Sequence, residues 1–264
     1  MKNLNQDYKK IGIIGGLGPM ATKDLFEWII ELTPAKIDQE HLPVIINNIP
    51  QIPDRTKYLL GEGVNPLPNL IKTALELEKM GAEIIAIPCN TAHVFLDEIQ
   101  KKLKKARLVD MIFETKKFIS SLQLDPDTKI GLLATTGTVK TNLYQSYFPK
   151  HQLITSTDEI QIRCVMEAIY GAKGIKAGYL TKRNEKLLTE ALDSLVKNGA
   201  DIIILGCTEI SLALRKKSNK EKNLINPIKI LAKELDSQSI YNNLHLLKPD
   251  DIIPYNKKIG ETYV

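Results

Sequence analysis

Cysteine is scarce in this sequence, and so are tryptophan and long hydrophobic runs. The 264 residues include three cysteines and one tryptophan. An odd number of cysteines does not suit a disulfide-stapled secreted domain, and a chain of this length buries enough apolar surface to fold without staples. The polar start, 1–10, and the short glycine-rich run 11–17 do not make a signal-peptide core, and no run is long enough to span a membrane. We therefore expect a cytoplasmic protein with reduced cysteines and no membrane partner.

Clustered positive charge and metal-binding motifs are also missing. The net charge of +5 comes from lysines spread along the chain, with one denser run from Lys101 to Arg107. This run contains no aromatic residues and accompanies no nucleic-acid motif, so we interpret it as the solvated face of a helix and expect no nucleic-acid partner. The sequence has no Cys-x-x-Cys pair and its four histidines are scattered, so it predicts no metal site.

Short β-branched runs alternate with longer segments of helical period along the chain. This alternation is typical of a parallel sheet covered by helices, so the sequence predicts an α/β fold. The predicted strands are 10–14, 43–47, 84–87, 129–134, 151–154 and 202–205, and the predicted helices are 21–32, 66–80, 91–105, 140–148, 158–170 and 181–198.

The two halves of the chain resemble each other. The segment GAEIIAIPC at 81–89 matches GADIIILGC at 199–207 without a gap, and IGII at 11–14 matches IGLL at 130–133. The offsets of 118 and 119 residues are nearly equal, which indicates an ancient duplication. The sequence therefore predicts two similar pseudo-symmetric α/β domains, each a parallel sheet flanked by helices, with the active site in the cleft between them. The first domain is expected to contain 1–118 together with 214–264, and the second 119–213.

Cys89 and Cys207 occupy the equivalent position in the two repeats. Each follows an apolar strand and precedes a polar step and then a helical segment, and ligands of open parallel sheets bind at the carboxyl ends of the strands. A helix N-terminus stabilises negative charge, so we expect both thiols to have a pKa lowered from the free value of about 8.5. A single cysteine at a strand end is usually a small buried hydrophobe, but recurrence in both repeats favours function. Cys164 lies alone in an apolar helical stretch, and we interpret it as a small buried core residue without a catalytic role.

Two thiols that face each other across a cleft suit proton transfer at a carbon atom. One thiol removes a proton from one face and the other delivers a proton to the opposite face, which inverts a stereocentre without a cofactor. The α-proton of an amino acid is weakly acidic, so fixed donors must stabilise the carbanion and water must be excluded. The groups around Asn90, Thr91 and Thr208 are candidate donors to the α-carboxylate.

Four motifs carry a resemblance to a known family. They are GGLGP at 15–19, IPDRT at 52–56, PCNTAH at 88–93 and GCTE at 206–209. Together they resemble the aspartate/glutamate racemase family, and the PDRT segment resembles its aspartate racemase branch. In glutamate racemases a histidine commonly follows the second Cys-Thr, and here Glu209 stands at that position, which favours aspartate as the substrate. The resemblance implies two-thiol racemisation without pyridoxal phosphate, metal or any other cofactor, and a homodimer.

The resemblance also implies a clamp for the distal carboxylate of the substrate. It carries over onto Arg55, whose planar fork suits bidentate carboxylate binding, and onto a lysine in the segment 170–178. This segment is longer than usual. Lys176 is therefore the first choice for the clamp and Lys173 the second.

Further roles follow from the same resemblance. Gly18 and the loop 135–137, which includes Thr136, are expected beside the substrate, with the loop close to the α-carboxylate. Cys89 is expected to take the proton from the D enantiomer and Cys207 from the L enantiomer.

Other functions remain open at the level of sequence. The pattern G-x-G-x-x-A at 16–21 satisfies the relaxed dinucleotide-binding fingerprint, but the next strand ends in two asparagines instead of an acidic residue, and Pro19 removes a backbone donor.

A maleate isomerase or a hydantoin racemase shares the expected architecture, and a binding protein that has lost turnover is a third alternative. Arg55 and the candidate lysine favour a dicarboxylate over a hydantoin, but maleate is also a dicarboxylate.

Overall fold

The computed structural model describes residues 8–148, 152–215 and 223–240, which contain two parallel four-stranded sheets. The strands are β1 Ile11–Gly15, β2 Val44–Asn48, β3 Ile84–Ala86, β4 Arg107–Leu108, β5 Ile130–Ala134, β6 Leu153–Thr155, β7 Ile202–Gly206 and β8 Leu224–Ile225. The strand order is β2-β1-β3-β4 in the first sheet and β6-β5-β7-β8 in the second. The same order in both sheets confirms the predicted fold of two similar parallel sheets.

Helices pack on both sheets and connect their strands. Leu188, Ala191, Leu192 and Leu195 illustrate why they form, because this helical spacing puts all four on one buried face of α9. The helices of the described residues are α1 Pro19–Leu32, α2 Arg55–Leu59, α3 Leu67–Lys79, α4 Leu96–Gln100, α5 Met111–Ser121, α6 Thr136–Lys140, α7 Asp158–Ile160, α8 Glu167–Tyr170, α9 Lys182–Lys197, α10 Thr208–Ala213 and α11 Pro227–Ile240. Shorter 3₁₀ turns span Asp38–Glu40, Thr91–Phe95 and Ile175–Ala177, and a π-helical stretch, Gln161–Met166, joins α7 to α8.

The duplication is visible in the hydrogen bonds that begin each central strand. The carbonyl of Lys10 accepts from the backbone N–H of Glu83 at 2.8 Å, and the carbonyl of Lys129 accepts from that of Asp201 at 2.9 Å. The backbone N–H of Lys10 donates to Glu83 Oε1 at 3.2 Å, and that of Lys129 donates to Asp201 Oδ2 at 2.8 Å. The two repeats therefore share contacts as well as sequence.

The C-terminal region contributes to both halves of the molecule. Helix α11 packs against α1 and α5, and its Ile228 and Leu231 are buried beside Trp28 in the core of the first sheet. Strand β8, however, pairs with β7 of the second sheet. The division of the chain into domains stays a prediction, and residues 241–264 lie outside the described residues.

The helix predicted at 140–148 is wrong. Thr135 caps α6, which ends at Lys140, and the residues that follow it up to 147 form turns. Asn142 has a φ of +53°, and this left-handed conformation does not continue a helix. The predicted strand start at His151 lies outside the described residues.

The lysine run from Lys101 to Arg107 does not form the helix face that its composition indicated. The predicted helix 91–105 is a 3₁₀ turn followed by α4, which ends at Gln100. Glu78 Oε1 accepts from three successive backbone N–H groups of the run, at 2.7–2.9 Å, which holds it as a turn. Helix α5 and the two-residue edge strands β4 and β8 were not predicted from the sequence. In the described part of the chain, no helix is long and apolar enough to cross a membrane.

Candidate active site

One cleft is lined by the segments that follow the two central strands of each sheet. Leu17 follows β1, Cys89 follows β3, Thr135 follows β5 and Cys207 follows β7. The cleft therefore lies where the carboxyl ends of both sheets meet, which is the expected place for a ligand of parallel sheets. The other lining residues are Arg55, Thr56, Asn90, Thr91, Tyr170, Lys176, Thr208 and Glu209.

The cleft is nearly closed. Its cavity has a volume of about 10 Å³, which is room for about one water molecule. Both thiols are buried, with Cys89 7% exposed and Cys207 6% exposed. A ligand of amino-acid size therefore requires the cleft to widen before it can bind.

Most of the residues singled out from the sequence meet in this cleft. Of the nine predicted site residues, Gly18 and Thr136 are the two that do not line it. Gly18 nevertheless lies beside it, because a Cβ at this position would be 3.3 Å from Glu209 Oε1. The Thr136 hydroxyl instead accepts a hydrogen bond from Gln161 Nε2 at 3.3 Å, while the preceding Thr135 lines the cleft.

Sequence reasoning missed four lining residues as site residues, and the signal was present for each. Leu17, Thr56 and Glu209 belong to the quoted motifs, and Tyr170 opens the segment that holds the candidate lysines. Within that segment, Lys176 lines the cleft, whereas Lys173 is exposed outside it.

His93 holds the backbone of Cys89 in place. Its Nδ1 lies 2.9 Å from the carbonyl oxygen of Cys89, and its Nε2 accepts from the backbone N–H of Met111 at 3.1 Å. Because Nε2 accepts, the proton of the neutral ring lies on Nδ1, which donates to the carbonyl. Burial lowers the pKa of His93, which keeps the ring neutral. His93 is therefore a structural support for Cys89.

Arg55 is buried beside Cys89. Burial lowers its pKa, but the neighbouring Cys89, Asp54 and Tyr170 raise the pKa more, so Arg55 stays charged. Its Nε has no hydrogen-bond partner among the described residues. The rest of the fork is bound to backbone carbonyls, which are Leu17 O at 2.8 Å, Pro53 O at 3.0 Å and Ile52 O at 3.3 Å.

Glu209 connects Cys207 to Lys176. Its Oε2 lies 3.1 Å from both the Cys207 Sγ and the Thr208 Oγ1, and its Oε1 accepts from Lys176 Nζ at 2.8 Å. Burial raises the pKa of Glu209, but Lys176 and the other donors lower the pKa more, so the carboxylate stays ionised.

The pKa of Cys207 does not follow the prediction from its position at a helix N-terminus. Cys207 is the N-cap of α10, yet burial raises its pKa well above the ordinary value and the charge of Glu209 raises the pKa further. Lys176 lowers this pKa by less. The expected lowering is therefore wrong for this thiol, because its buried, anionic surroundings outweigh a six-residue helix.

Lys176 remains a cation in the cleft. Burial lowers its pKa, but Glu209 and Tyr170 raise the pKa more, and the net shift is upward. Its Nζ lies 5.5 Å from the centre of the Tyr170 ring and 3.5 Å from Leu17 O. The hydroxyl of Tyr170 donates to Asp54 Oδ2 at 3.0 Å, which joins the two halves of the molecule at this end of the cleft.

Asn90 presents an unused donor. Its Oδ1 accepts from the hydroxyl of the fully buried Tyr144 at 2.5 Å, which fixes the orientation of the amide. Its Nδ2 is buried and has no hydrogen-bond partner among the described residues. Because Asn90 lines the cleft, this N–H₂ group is available to an oxygen of a ligand.

Four threonine hydroxyls meet between the two halves. Thr91 Oγ1 lies 2.8 Å from Thr138 Oγ1 and 3.1 Å from Thr135 Oγ1, and Thr56 Oγ1 lies 3.4 Å from Thr135 Oγ1. Among the described residues, no group of three or more His, Cys, Asp or Glu side chains could hold a metal ion. The cleft thus offers two thiols, several neutral donors, two cations and the Glu209 carboxylate.

Comparison with known proteins adds a family match. A family model described as "Asp/Glu/Hydantoin racemase" matches residues 14–235. Among curated proteins, the "Broad specificity amino-acid racemase RacX" of Bacillus subtilis is 28% identical over 217 residues. That alignment covers 77% of this chain and 87% of the relative.

Solved structures show the same architecture. An aspartate racemase from Picrophilus torridus superposes with a TM-score of 0.74 at 25% identity, covering 88% of this chain and 94% of that one. An aspartate racemase homologue from Pyrococcus horikoshii superposes with a TM-score of 0.65 at 25% identity, covering 88% of this chain and 99% of that one. Both structures therefore share the architecture of two parallel sheets flanked by helices.

Proposed function

This chain belongs to the Asp/Glu/hydantoin racemase family, and we propose that it is an amino-acid racemase that interconverts L- and D-aspartate without a cofactor. The observation that carries the proposal is the meeting of Cys89 and Cys207 in one cleft. They come from equivalent positions of the two repeats, and inversion of a stereocentre by two bases needs one group on each face of the carbon.

The proposed reaction is a proton exchange at the α-carbon. The thiolate of one cysteine takes the α-proton and leaves its electron pair on the carbon as a carbanion. The thiol of the other cysteine then gives its proton to the opposite face. One turnover therefore leaves the first cysteine as a thiol and the second as a thiolate, and the reverse reaction restores both.

Neutral donors around the cysteines suit the α-carboxylate. Asn90 Nδ2 has no partner among the described residues, and the hydroxyls of Thr91 and Thr208 line the same cleft. Donors fixed by the fold stabilise developing charge without having to reorganise during the reaction. We assign these three residues to the α-carboxylate, with Gly18 beside them and with Thr135 in the place first given to Thr136.

The distal carboxylate of aspartate is assigned to Lys176 and Arg55. Lys176 has three N–H donors and uses them on Glu209 and, at 3.5 Å, on Leu17 O, so one remains for a ligand. Arg55 retains its Nε, because its two terminal nitrogens bind backbone carbonyls. Arg55 is thus not a free bidentate fork in this closed state, and its contribution to binding is mainly its charge.

Proton NMR in deuterated water tests the proposal. Purified protein is incubated with L-aspartate or D-aspartate, and separately with L-glutamate or D-glutamate, under reducing conditions and without added cofactor. Loss of the α-proton signal together with accumulation of the opposite enantiomer is expected, and fastest with aspartate. Absence of exchange with both substrates contradicts the proposal and turns attention to maleate, to hydantoins and to binding without turnover.

A broader substrate range is the second candidate. It is supported by the ion pair between Lys176 and Glu209, which neutralises one of the two cations that would select a dicarboxylate. The similar RacX protein is described as having broad specificity. Values of kcat/KM for L-aspartate, L-alanine and L-lysine separate the candidates, because a clamp for a distal carboxylate predicts a strong preference for aspartate and a neutralised clamp does not.

The family resemblance also supports a homodimer without nucleic acid, and we propose this assembly. Light scattering of the purified protein tests it directly. A mass of about twice the 29.6 kDa of the chain is expected. A mass equal to that of one chain contradicts it.

A further inference from the structure

Cys207 is paired with a buried carboxylate, which is an unusual neighbour for a group that has to act as a base. The Sγ lies 3.1 Å from Glu209 Oε2, and Glu209 is 4% exposed. The same oxygen accepts from the hydroxyl of Thr208 at 3.1 Å. The other oxygen, Oε1, accepts from Lys176 at 2.8 Å.

These contacts indicate which of the two groups, the Cys207 sulfur or the Glu209 carboxylate, carries the proton that lies between them. An ionised carboxylate can only accept hydrogen bonds, and the Lys176 and Thr208 donors keep this one ionised. The sulfur within hydrogen-bond distance of it must therefore carry the hydrogen, because a thiolate at 3.1 Å would place two anions side by side.

We propose that Glu209 is a positioning residue that holds Cys207 as a thiol in the free protein, so that Cys207 begins as the proton donor. The catalytic meaning of this assignment rests on the proposed racemase function, but the thiol state itself does not. Glu209 thereby makes the two cysteines unequal although the duplication placed them at equivalent positions.

The other titratable groups around the cleft agree with this assignment. Lys176 is the cation that faces Cys207, and its closest contact is with Glu209, so it offsets the carboxylate more than it stabilises a thiolate. Tyr144 and Tyr170 are neutral, because burial raises the pKa of each. The other buried cation, Arg55, lies beside Cys89, on the opposite side of the proposed reaction.

The assignment sets the order of proton transfer. Cys89, next to the Arg55 guanidinium, takes the first proton, and the Cys207 thiol supplies the second. After this turnover a thiolate lies beside Glu209, and the repulsion between the two anions favours return of a proton to Cys207, from substrate or from solvent.

Thiol labelling of the wild-type protein is the first test. The rate of iodoacetamide labelling is measured for each cysteine over a pH series by mass spectrometry of the cysteine-containing peptides. The midpoint for Cys207 is expected above the ordinary thiol value of about 8.5. A midpoint at or below that value overturns the proposal, and this measurement depends neither on a mutation nor on turnover.

The Glu209→Gln variant tests whether the carboxylate is the cause. Labelling of Cys207 at neutral pH, taken relative to Cys89 in the same molecules, is expected to rise about tenfold or more, because a like charge at this distance moves a pKa by about one to three. The matched control is Glu167→Gln, which removes a carboxylate outside the cleft. Glu167 accepts from Arg183 at 2.8 Å, the same distance as from Lys176 to Glu209. This control should leave the ratio unchanged.

The two proposals fail in distinguishable ways. An unchanged ratio in a folded Glu209→Gln protein overturns the role of Glu209 whatever the NMR experiment shows. Labelling that follows the prediction, in a protein that exchanges no α-proton, overturns the racemase and leaves the role of Glu209 standing. If Glu209→Gln does not fold, the pair Glu209→Asp and Glu209→Asn replaces it, because these two side chains have the same size and differ in charge. Faster labelling of Cys207 in Glu209→Asn is then expected, and equal labelling in the two variants overturns the role of Glu209.

Discussion

At the scale of single residues, the three cysteines lie in different surroundings. Cys89 and Cys207 line the cleft, whereas Cys164 is fully buried among the apolar side chains of α8 and α9. Burial raises the pKa of Cys164, as expected for an inert core thiol. This contrast makes Cys164 the internal control for the two others.

Replacement of each cysteine by alanine is expected to separate these roles. Cys89→Ala and Cys207→Ala should abolish racemisation, because each removes one of the two proton-transfer groups. Cys164→Ala should keep the wild-type rate and lower the free energy of unfolding by about 1 kcal/mol, through a small cavity. Chiral chromatography of the product together with chemical denaturation checks all three, and appreciable inversion by either of the first two variants rules out a two-thiol mechanism.

Tyr144 is a second residue whose effect should be seen in catalysis although it does not line the cleft. Tyr144→Phe leaves the buried Asn90 Oδ1 without its donor, so the amide that faces the cleft loses its fixed orientation. We expect the free energy of unfolding to fall by about 1–2 kcal/mol and the KM to rise several-fold. Steady-state kinetics and urea denaturation measure both.

The control for this variant is Tyr147→Phe. The Tyr147 hydroxyl donates to Asp110 Oδ2 at 3.0 Å, outside the cleft. Its loss should lower stability by a smaller amount, because this bond is only partly buried, without a change in KM. Equal kinetic effects of the two substitutions would mean that Tyr144 acts only through stability.

At the scale of elements, the loop that presents Lys176 depends on the first turn of α9. Asn184 is fully buried there and donates to the carbonyls of Lys173 at 2.8 Å and Tyr179 at 2.7 Å. The loop turns at Gly178, whose φ of +91° is readily adopted by glycine. The position of the candidate clamp is therefore set by a helix that does not itself line the cleft.

Asn184→Ala is expected to loosen this loop. The carbonyls of Lys173 and Tyr179 lose their donor, so the free energy of unfolding should fall by about 1–3 kcal/mol, and KM for aspartate should rise more than kcat falls. Thr157→Ala is the control, because it removes the cap of α7, at about 1 kcal/mol, without touching Asn184 or either carbonyl. A rise in KM of the same size in both variants contradicts a specific role for Asn184.

At the scale of the whole molecule, the two halves meet closely over the cleft. A Cβ at Gly137 of α6 would lie 2.9 Å from Thr56 Oγ1 and 3.0 Å from Thr56 Cα of α2. Glycine is therefore what lets these short helices approach. The same approach brings the threonine hydroxyls together and helps to leave a cavity of only about 10 Å³.

Gly137→Ala is expected to hold the halves apart when the cleft closes. The value of kcat/KM should fall about tenfold or more, because displacement of reacting groups by about 1 Å can cost about 100-fold. Stability should change little, since alanine favours the helix while the contact opposes it. Thr56→Ala removes part of the clash, so Gly137→Ala should lower kcat/KM less when it is added to Thr56→Ala than when it is added to the wild type. A wild-type kcat/KM in Gly137→Ala would contradict the idea that the close approach of the two halves is needed for catalysis.

Sequence patterns alone were sufficient to predict the architecture and to place the two cysteines at equivalent positions in it. Hydrophobic periodicity is a local property of the chain, and the matched segments at 81–89 and 199–207 placed both thiols after equivalent central strands. The same patterns could not find β4 and β8, because two-residue edge strands carry too little periodicity. They also could not find the turn at the lysine run, which depends on Glu78 from α3.

The electrostatics of the cleft depend on the folded chain. Glu209 and Lys176 are 33 residues apart, and Thr56 and Thr135 are 79 apart, so no local pattern shows that these pairs touch. Folding also binds the Arg55 fork to backbone carbonyls and buries Cys207 against a carboxylate, which reverses the pKa shift expected from its position before a helix. Charge effects are set by distance and burial, and both exist only once the two halves have come together.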